Sequence, residues 1–482
     1  MSRPARGTAG IAGRAVCVAG IGVSGRAAAR ALADHGARVT VVDARDGAAE
    51  REHAAALAAG GEITVRLGDG ETLPPGTELV VTSPGWPPDV PLLAAAAAAG
   101  VEIIGEVELA WRLRAPDAAP WLAITGTDGK TTAVRMLACM LSAAGHQALP
   151  VGNVGTPIVA VVQATGEAAG RDVLAVELSS YQLHWSSTIV PYAAAVLNIA
   201  PDHLDWHGSM DAYVAAKAKI FAPDTIAVYN ADDERSAALA AGAARRVGFT
   251  LAAPRPGQLG VVEDALVDRA FAGDGAAELA RLSDVRPFAP HNVANALAAA
   301  ALARAYGVPP GAVRDGLRAF VPDPHRIQHV ADVDGVAYVN DSKATQPHAA
   351  TASLAAYPSV VWIAGGLLKS LDVDELVRTH AARLRGVVLI GRDRARIAEA
   401  LGRHAPNVPV IDIPETDTGA MDRAVRGAAR LAAAGDTVLL APAGASFDMF
   451  ANYPARGDAF IDAVRRLPDQ GHELARARRR LD

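Results

Sequence analysis

The chain has 482 residues, of which 51% are hydrophobic and 20% charged, a balance typical of globular proteins rather than disordered or fibrous ones. At roughly 150 residues per domain, this length predicts about three domains. A net charge of −6 argues against a nucleic-acid partner, and two cysteines are too few for a disulfide framework. The polar N-terminus and the lack of an apolar stretch of about 20 residues predict a cytoplasmic protein without membrane insertion.

Short β-rich runs alternate with alanine-rich helical stretches along the chain, which predicts an α/β fold built on parallel sheets. In the first segment we expect strands at residues 15–19, 39–42, 79–82 and 101–104. In the middle segment we expect strands at 122–125, 173–178 and 194–199, and helices that open at 131 and span 291–306. In the last segment we expect strands at 337–340, 360–365, 386–391, 408–412 and 437–441.

Two proline-containing stretches mark the expected domain boundaries. One covers residues 114–120 and the other covers residues 318–325, and each interrupts the α/β alternation. They divide the chain into three predicted domains, 1–116, 117–322 and 323–482.

The strongest chemical motif is a glycine-containing turn after the predicted strand at 122–125. It reads Gly-Thr-Asp-Gly-Lys-Thr-Thr over residues 126–132 and leads into a predicted helix. Backbone N–H groups of such a turn can close around phosphate oxygens, and a helix N-terminus favours negative charge. We expect Lys130 to neutralise the β- and γ-phosphates and the Thr131 or Thr132 hydroxyl to bind Mg²⁺. The turn is two residues shorter than the loop of ordinary P-loop NTPases.

A second glycine-rich turn follows the first predicted strand. It reads Gly-Ile-Gly-Val-Ser-Gly over residues 20–25, and Asp43 follows at the end of the second strand. This pattern is typical of a site for a diphosphate and a ribose-like pair of hydroxyls. It predicts binding without predicting hydride transfer, and a tight turn without any ligand is the structural alternative.

Glu177 and His203 each follow a predicted strand of the middle segment. The carboxyl ends of parallel strands meet at one edge of a sheet, so we expect both side chains near Lys130. A carboxylate and an imidazole there suit a metal ion that bridges nucleotide phosphates. Each residue alone is more often a capping or structural residue, and it is their shared edge with Lys130 that favours a function.

Three further segments allow both a structural and a functional interpretation. Lys217 lies in a predicted helix and reads as a solvated lysine by itself. Asn292 and Asn295 begin another helix, where an amide can contact a base edge or simply cap the helix. Residues 340–345 crowd polar groups at a strand end, which favours a ligand site.

Together these segments resemble the Mur ligase family over essentially the whole chain. The residues that carry the resemblance are GIGVSG at 20–25, SPG at 83–85, GTDGKTT at 126–132, ELSSYQL at 177–183, PDHLD at 201–205, AAKAKI at 215–220, PHRIQ at 324–328, NDSKAT at 340–345 and ASFDMF at 445–450. The segment from Asp341 to Thr345 is the most specific of them.

The resemblance implies an ATP-dependent acid–amino-acid ligase with three α/β domains. Their expected architectures are an N-terminal Rossmann-like UDP-sugar domain, a central P-loop ATPase-like domain and a C-terminal Rossmann-like domain that binds the amino acid. The implied reaction joins D-glutamate to UDP-N-acetylmuramoyl-L-alanine through an acyl phosphate and a tetrahedral intermediate, in cytoplasmic peptidoglycan synthesis. ATP, two Mg²⁺ sites and a monomeric enzyme belong to the same expectation.

The resemblance also implies roles for individual residues. The UDP-sugar is expected at Gly20, Gly22, Val23, Ser24, Gly25, Asp43, Ser83 and Asn153. ATP is expected at Gly126, Thr127, Asp128, Gly129, Lys130, Thr131, Thr132, Asn292, Asn295, Arg326, Asp341 and Lys343. The metal residues are Thr131, Glu177, His203 and a carbamylated Lys217, and the catalytic residues are Lys130, His203 and Lys217. D-glutamate is expected at Thr345, Lys369, Ser446 and Tyr453.

The chain departs from the family pattern at several of these positions. Asp128 adds a negative charge to the phosphate loop where Asn or Thr is usual, and it could point away from ATP or face Mg²⁺. Gln346 replaces a usual Asn, and Tyr453 replaces a usual Phe. The segment around Lys369 is richer in leucine than the family pattern.

Three other classes of protein share part of these features. A folylpolyglutamate synthetase would share the phosphate loop but not the turn at 20–25 or the segment at 341–345. A nicotinamide-dependent oxidoreductase would leave the phosphate loop, Glu177 and His203 without a role. A non-catalytic nucleotide-binding regulator is the third alternative.

Overall fold

The computed structural model of the chain describes residues 10–163, 171–273, 275–368, 372–417 and 419–467. Within these ranges the strands form three sheets of five, nine and six strands. The backbone divides into two compact units, Met1–Asp284 with Ala294–Phe320 and Val285–Val293 with Val321–Asp482. The first unit contains the two N-terminal sheets and the second contains the last sheet. None of the helices in the described ranges is both long enough and apolar enough to cross a membrane.

The N-terminal sheet is parallel throughout. Its strands are β1 (Ala15–Ala19), β2 (Arg38–Asp43), β3 (Ile63–Leu67), β4 (Leu79–Thr82) and β5 (Glu102–Gly105). They lie in the order β3-β2-β1-β4-β5 beside helices α1 (Val23–Asp34), α2 (Ala48–Ala58), α3 (Pro91–Ala98) and α4 (Glu106–Leu113). The strand order reverses between β1 and β4, so their carboxyl ends open the crevice in which such sheets bind ligands.

The central sheet is parallel around its middle and antiparallel at one end. Its strands are β6 (Trp121–Thr125), β7 (Ala148–Gly152), β8 (Val173–Glu177), β9 (Ala193–Val196), β10 (Ile226–Asn230), β11 (Arg245–Phe249), β12 (Gln258–Val262), β13 (Ala265–Asp268) and β14 (Ala277–Arg281). Their order is β14-β13-β12-β11-β10-β9-β6-β8-β7, with β12, β13 and β14 antiparallel to one another. The chain moves from β6 to one side for β7 and β8 and to the other for β9, which places a second crevice at the end of β6.

Eight helices lie along the chain that forms the described part of this sheet. They are α5 (Lys130–Ala143), α6 (Ile158–Val162), α7 (Ser180–His184), α8 (Leu204–His207), α9 (Met210–Ala218), α10 (Glu234–Leu239), α11 (Pro290–Ala305) and α12 (Pro310–Ala319). The strands β6, β8 and β9 consist almost wholly of buried apolar residues, as expected for strands covered on both faces.

The last sheet begins with an antiparallel hairpin and continues as a parallel sheet. Its strands are β15 (Gln328–Val333), β16 (Val336–Asn340), β17 (Val360–Gly365), β18 (Leu384–Ile390), β19 (Val410–Asp412) and β20 (Thr437–Ala443). They lie in the order β15-β16-β20-β17-β18-β19, so the carboxyl ends of β16, β20 and β17 are neighbours. Its helices are α13 (Pro347–Ala355), α14 (Asp374–His380), α15 (Arg394–His404), α16 (Ala420–Leu431) and α17 (Tyr453–Arg465).

The structure confirms the α/β class with mainly parallel sheets, and it adds antiparallel strands at one end of the central sheet and at the start of the last one. The sequence analysis did not predict β3, β7 or the strands from β10 to β15, and β12–β15 form antiparallel pairs. These strands are short, and those such as β11, β12 and β14 mix polar and small residues with the apolar ones, so no long apolar run marks them. The domain boundaries at 116/117 and 322/323 stay predictions.

Two carboxylates of α4 fasten the N-terminal sheet to the central one inside the first unit. Glu106 Oε1 accepts a hydrogen bond from the N–H of Val159 at 2.6 Å, at the start of α6. Glu108 Oε2 accepts from the N–H groups of Ser187 and Thr188 at 2.8 and 3.0 Å. Glu106 is buried and its second oxygen has no partner among the described residues, and burial raises its pKa from 4.5 to about 7.

The raised pKa of Glu106 makes the stability of the first unit depend on pH. Below pH 4.5 the side chain is neutral in both the folded and the unfolded state, and above about pH 7 it is ionised in both. The folded state therefore loses stability as pH rises through this window, by up to about 3 kcal/mol. Glu106→Gln should raise the free energy of unfolding at pH 8, and the gain should shrink towards zero near pH 4.5.

Urea unfolding at the two pH values measures this difference. Glu62→Gln, which changes an exposed glutamate of the same domain, is the matched control and should show no such pH-dependent gain. An equal effect of Glu106→Gln at both pH values would contradict the assignment.

Candidate active site

The turn after β1 is shaped by two glycines that no other residue could replace. Gly20 has a φ of +101°, and an added Cβ would lie 2.5 Å from Ser83 Oγ. A Cβ on Gly25 would lie 1.8 Å from the carbonyl oxygen of Gly20. Nothing lies within 4 Å of a Cβ placed on Gly22, so the backbone there is open to a ligand. Val23 and Ser24 then form the first residues of α1.

Asp43 holds this turn from the end of β2. Its Oδ2 accepts from the N–H of Ile21 at 2.9 Å, and both of its oxygens accept from Arg45 at 3.0 Å. Burial would raise the pKa of Asp43, but the hydrogen bonds from Arg45 and Ile21 outweigh it and lower the pKa. The carboxylate is thus occupied within the protein and orders the turn, whereas Ser83 Oγ, at the crevice beside β4, is buried without a partner among the described residues.

The phosphate-loop motif lies at the second crevice, between β6 and α5. Gly129 caps α5 with a φ of +79°, and a Cβ there would lie 2.2 Å from Asn295 Oδ1. Lys130 folds back over the loop, and its Nζ donates to the carbonyl oxygens of Gly126 and Thr127 at 2.8 and 2.7 Å. Thr131 and Thr132 follow in the first turn of α5. The loop therefore has the conformation of an anion site at a helix N-terminus.

Asn198, which follows β9, fixes the loop from the neighbouring strand. Its side-chain oxygen accepts from the N–H of Asp128 at 2.9 Å, and its carbonyl oxygen accepts from the N–H of Thr127 at 3.0 Å. The Thr127 hydroxyl also lies 2.9 Å from that of Tyr213 on α9. The sequence analysis did not select Asn198 or Tyr213 as site residues; an amide two residues after a buried strand was the available signal for Asn198.

Glu177 ends β8 beside the phosphate loop. Its side chain is 1% exposed, its Oε1 accepts from Asn153 Nδ2 at 2.8 Å, and its Oε2 is buried without a partner among the described residues. An unsatisfied buried carboxylate oxygen fits a hard cation such as Mg²⁺, which often takes one or two carboxylates together with substrate phosphates. Within the described ranges no three histidine, cysteine or carboxylate side chains cluster as a complete metal cage.

Lys217 is a buried residue of the site and not the solvated lysine that its helix position suggests. It is 1% exposed in the last turn of α9, and its Nζ donates to the carbonyl oxygen of Gly126 at 2.7 Å and to Thr125 Oγ1 at 3.4 Å. Burial lowers its pKa well below the usual range, and the charge of Lys130 lowers it further. The Nζ atoms of two lysines thus share one carbonyl oxygen.

His203 lies close enough to Lys130 and Lys217 to feel their charges, and its side chain is more exposed than that of Lys217. It has a φ of 54° at the start of α8, its side chain is 41% exposed, and its Nε2 lies 3.3 Å from Asp202 Oδ2. Burial lowers its pKa, the charges of Lys130 and Lys217 lower it further, and Asp202 acts in the opposite direction. Its ring packs against Tyr181, with the ring centroids 4.7 Å apart.

The second unit gathers several predicted residues at the carboxyl end of β16. Asp341 is buried, and its side chain accepts from Ser353 Oγ and from the N–H of Ile327. The ring of Tyr453 lies against Lys343, whose Nζ is 4.3 Å from the ring centroid. We expected Tyr453 beside D-glutamate, and its observed partner in this structure is the Lys343 side chain.

The loops that follow β16, β17 and β20 are joined by backbone hydrogen bonds. The N–H of Ala443 donates to the carbonyl oxygen of Ala344 at 3.0 Å, and Leu367 and Ala445 exchange two bonds of 2.8 Å. Thr345 lies in the first of these loops, and the buried Ser446 follows the last. Lys369, the expected cation of this pocket, lies outside the described residues.

The remaining residues that we expect to bind ATP contact other residues of the chain in this structure. Asn292 Nδ2 donates to the carbonyl oxygen of Pro287 at 3.0 Å, and Arg326 Nε lies 3.6 Å from Asp323 Oδ2. Asn295 lies against Gly129 of the phosphate loop, as described above.

Comparison with known proteins assigns the chain to a family. Three family models match it: the Mur ligase MurD-like N-terminal domain over residues 14–105, the Mur ligase middle domain over 124–303, and the Mur ligase glutamate ligase domain over 325–444. A UDP-N-acetylmuramoylalanine–D-glutamate ligase of Thermobifida fusca is 63% identical over 94% of this chain and 99% of its own length. The chain belongs to the Mur ligase family. A Streptomyces avermitilis protein of the same name is 64% identical over 94% of this chain and 98% of its own length.

Solved structures support the same fold for this Mur ligase. UDP-N-acetylmuramate-alanine ligase of Thermotoga maritima matches with a TM-score of 0.54 at 18% identity, covering 94% of this chain and 99% of its own. A pseudomurein peptide ligase of Methanothermus fervidus matches with a TM-score of 0.56 at 19% identity, covering 93% and 99%.

Lys130→Ala should weaken the binding of Mg²⁺–ATP to this Mur ligase by at least roughly tenfold, because it deletes a charged donor at the centre of the phosphate loop. The rise in melting temperature on addition of Mg²⁺–ATP measures this loss, since a ligand stabilises a protein in proportion to the logarithm of its relative concentration. Arg246→Ala, which removes an exposed cation from β11, should leave the rise unchanged. An undiminished rise in a folded Lys130→Ala variant would remove Lys130 from the phosphate site.

Proposed function

We propose that the chain catalyses the ATP-dependent ligation of D-glutamate to UDP-N-acetylmuramoyl-L-alanine in peptidoglycan precursor synthesis. The observation that carries the proposal is the identity of 62–64%, over nearly the full length of both chains, to relatives named UDP-N-acetylmuramoylalanine–D-glutamate ligase. The site geometry is consistent with it, because an anion loop, a buried carboxylate and two lysines lie together at one crevice. We place the reaction in the cytoplasm, where ATP and UDP-linked sugars are made, and we expect a monomer.

The proposed chemistry has two steps. The L-alanyl carboxylate attacks the γ-phosphorus of ATP, which forms an acyl phosphate and releases ADP. The amine of D-glutamate then attacks the acyl carbon to give a tetrahedral intermediate, which loses a proton and collapses to an amide and inorganic phosphate. Little covalent chemistry falls to the protein, so it acts by positioning and by charge stabilisation.

We assign the stabilisation of phosphate charge to the phosphate loop and to the side chains around it. The ammonium of Lys130 is free to exchange its two carbonyl partners for β- and γ-phosphate oxygens, which are stronger acceptors. Thr131, Glu177 and His203 would hold Mg²⁺, which neutralises phosphate charge when it is bound. Gly126, Thr127, Asp128, Gly129 and Thr132 complete the loop, and Asn292, Asn295, Arg326, Asp341 and Lys343 are proposed to bind the rest of the nucleotide.

The other two substrates are assigned to the strand ends described above. The UDP-sugar is proposed at Gly20, Gly22, Val23, Ser24, Gly25, Asp43, Ser83 and Asn153. D-glutamate is proposed at Thr345, Lys369, Ser446 and Tyr453. The three domains, 1–116, 117–322 and 323–482, would bind the sugar nucleotide, ATP and the amino acid respectively.

Lys217 is proposed to act as a carbamate. A neutral lysine amine adds to CO₂ and loses a proton, which converts a cation into an anion with two oxygens. The lowered pKa of Lys217 supplies the neutral amine, and the neighbouring ammonium of Lys130 would stabilise the anion. The carbamate would also place a negative charge beside the ammonium of Lys130, with which Lys217 shares the oxygen of Gly126.

A coupled assay tests the function as a whole. Continued ADP release over many turnovers should require UDP-N-acetylmuramoyl-L-alanine and D-glutamate together, because the acyl phosphate formed in the first step has to be consumed by D-glutamate in the second. Two controls are L-glutamate or L-alanine in place of D-glutamate, and a folate with L-glutamate in place of both substrates. Continued release with either would favour another amide ligase of this fold. ADP release that ignores both substrates would contradict ligation.

Two Lys217 variants test the carbamate. Lys217→Ala should be inactive and partly restored by small carboxylates such as acetate, which can occupy the vacated space as anions. Lys217→Arg should stay inactive, since a guanidinium cannot be carbamylated. In the wild-type protein, NMR with isotope-labelled bicarbonate should show a carbamate signal that Lys217→Ala lacks. A fully active Lys217→Arg variant, or no carbamate signal in active enzyme, would refute the modification.

A further inference from the structure

Arg456 lies buried in the first turn of α17, where an arginine is unfavourable for two reasons. It is 1% exposed, so its charge is removed from water, and a helix N-terminus carries partial positive charge of the same sign. Burial lowers the pKa of Arg456 to about 9, although Asp448 acts in the opposite direction. Such a position is expected only where the guanidinium makes contacts that a neutral side chain could not.

Its hydrogen bonds connect two strand-end loops of the second unit. Nε donates to Ser342 Oγ at 3.0 Å and Nη2 donates to the carbonyl oxygen of Ser342 at 2.9 Å, after β16. Nη1 donates to the carbonyl oxygen of Gly444 at 2.9 Å, after β20. Ser342 Oγ in turn donates to the carbonyl oxygen of Tyr453 at 2.8 Å, which closes the network on the start of α17. All of these acceptors are uncharged oxygens.

A third loop also comes close to the guanidinium. Gly366 follows β17, and an added Cβ on it would lie 3.2 Å from Arg456 Nη1. The same loop is tied to Ala445 by the paired hydrogen bonds of Leu367. The ends of three neighbouring strands therefore meet around one buried cation.

We propose that Arg456 is a positioning residue for the amino-acid substrate. Its planar fork holds in register the loops that carry Lys343, Thr345 and Ser446, and its charge, met by neutral oxygens, favours a dicarboxylate bound at those loops. The inference rests on the proposed function, because D-glutamate is that dicarboxylate. No part of the proposed mechanism otherwise uses Arg456.

Two substitutions separate the effect of the hydrogen bonds made by the Arg456 guanidinium from the effect of its charge. Arg456→Lys keeps the positive charge but cannot make the three observed hydrogen bonds, and Arg456→Met removes both. Arg385→Met is the matched control, because Arg385 lies on β18 of the same sheet and pairs with Asp436 at 3.2 Å at a half-exposed site. The measured quantities are kcat, the KM for each of the three substrates, and the melting temperature.

We expect Arg456→Met to raise the KM for D-glutamate on the order of tenfold or more while the KM for ATP changes less than about twofold. Arg456→Lys should recover part of the KM for D-glutamate but retain a lowered kcat, because its loops are less well aligned. Arg385→Met should match the wild type. An unchanged KM for D-glutamate in folded Arg456→Met, or an equal rise in all three KM values, would overturn the proposal.

Ser342→Ala decides the question if Arg456→Met does not fold. It removes the hydroxyl that Arg456 and Tyr453 share and leaves the guanidinium in place. A selective rise in the KM for D-glutamate supports the proposal, and an unchanged KM overturns it. A wild-type enzyme that does not ligate D-glutamate would overturn the proposed function itself, whereas an active wild type with unaffected variants would overturn only the role of Arg456.

Discussion

The chemistry of the first unit depends on two lysines that meet at the end of β6. Lys130 Nζ and Lys217 Nζ both donate to the carbonyl oxygen of Gly126, at 2.8 and 2.7 Å. Burial and the charge of Lys130 lower the pKa of Lys217, while the part-buried Lys130 donates to neutral carbonyl oxygens, so the arrangement favours an added anion. A phosphate would satisfy Lys130, and a carbamate would place a negative charge on Lys217. The buried, unsatisfied oxygen of Glu177 then provides a place for the cation that accompanies such anions.

The second unit also places a cation, Arg456, at the carboxyl ends of its strands. Arg456 is buried among neutral oxygens at the ends of β16, β17 and β20, and Lys130 likewise donates to neutral oxygens at the end of β6. In both units a cation lies at the carboxyl edge of a parallel sheet, where connecting loops leave room for a ligand. The three substrates of the proposed reaction are all anions, so the free energy lost by burying these cations is recovered when they bind.

The sequence predicts features that depend on neighbouring residues and misses those that depend on distant ones. The phosphate loop and the turn at Gly20–Gly25 were predictable because strand, glycine turn and helix are consecutive. The hydrogen-bond partners of Asn198 and Arg456 lie about 70 and 114 residues away in the chain, and the residues next to Asn198 and Arg456 do not indicate these partners. The helical pattern around Lys217 cannot show burial, which the packing of α9 decides. The antiparallel strands β12–β14 escaped prediction because their short runs are partly polar.

The two carboxylates of α4 bear on how this chain can be divided. Glu106 and Glu108 each accept hydrogen bonds from backbone N–H groups in segments of the central sheet, and both lose these N–H partners when the first 116 residues stand alone. Cutting there would leave acidic side chains on one fragment and uncapped amide groups on the other. A truncation after Phe320 keeps these bonds intact. A chimera with another ligase should therefore take the first two sheets from one parent. If the exchange is made between the two sheets, both acids and the segments that carry their N–H partners should still come from the same parent.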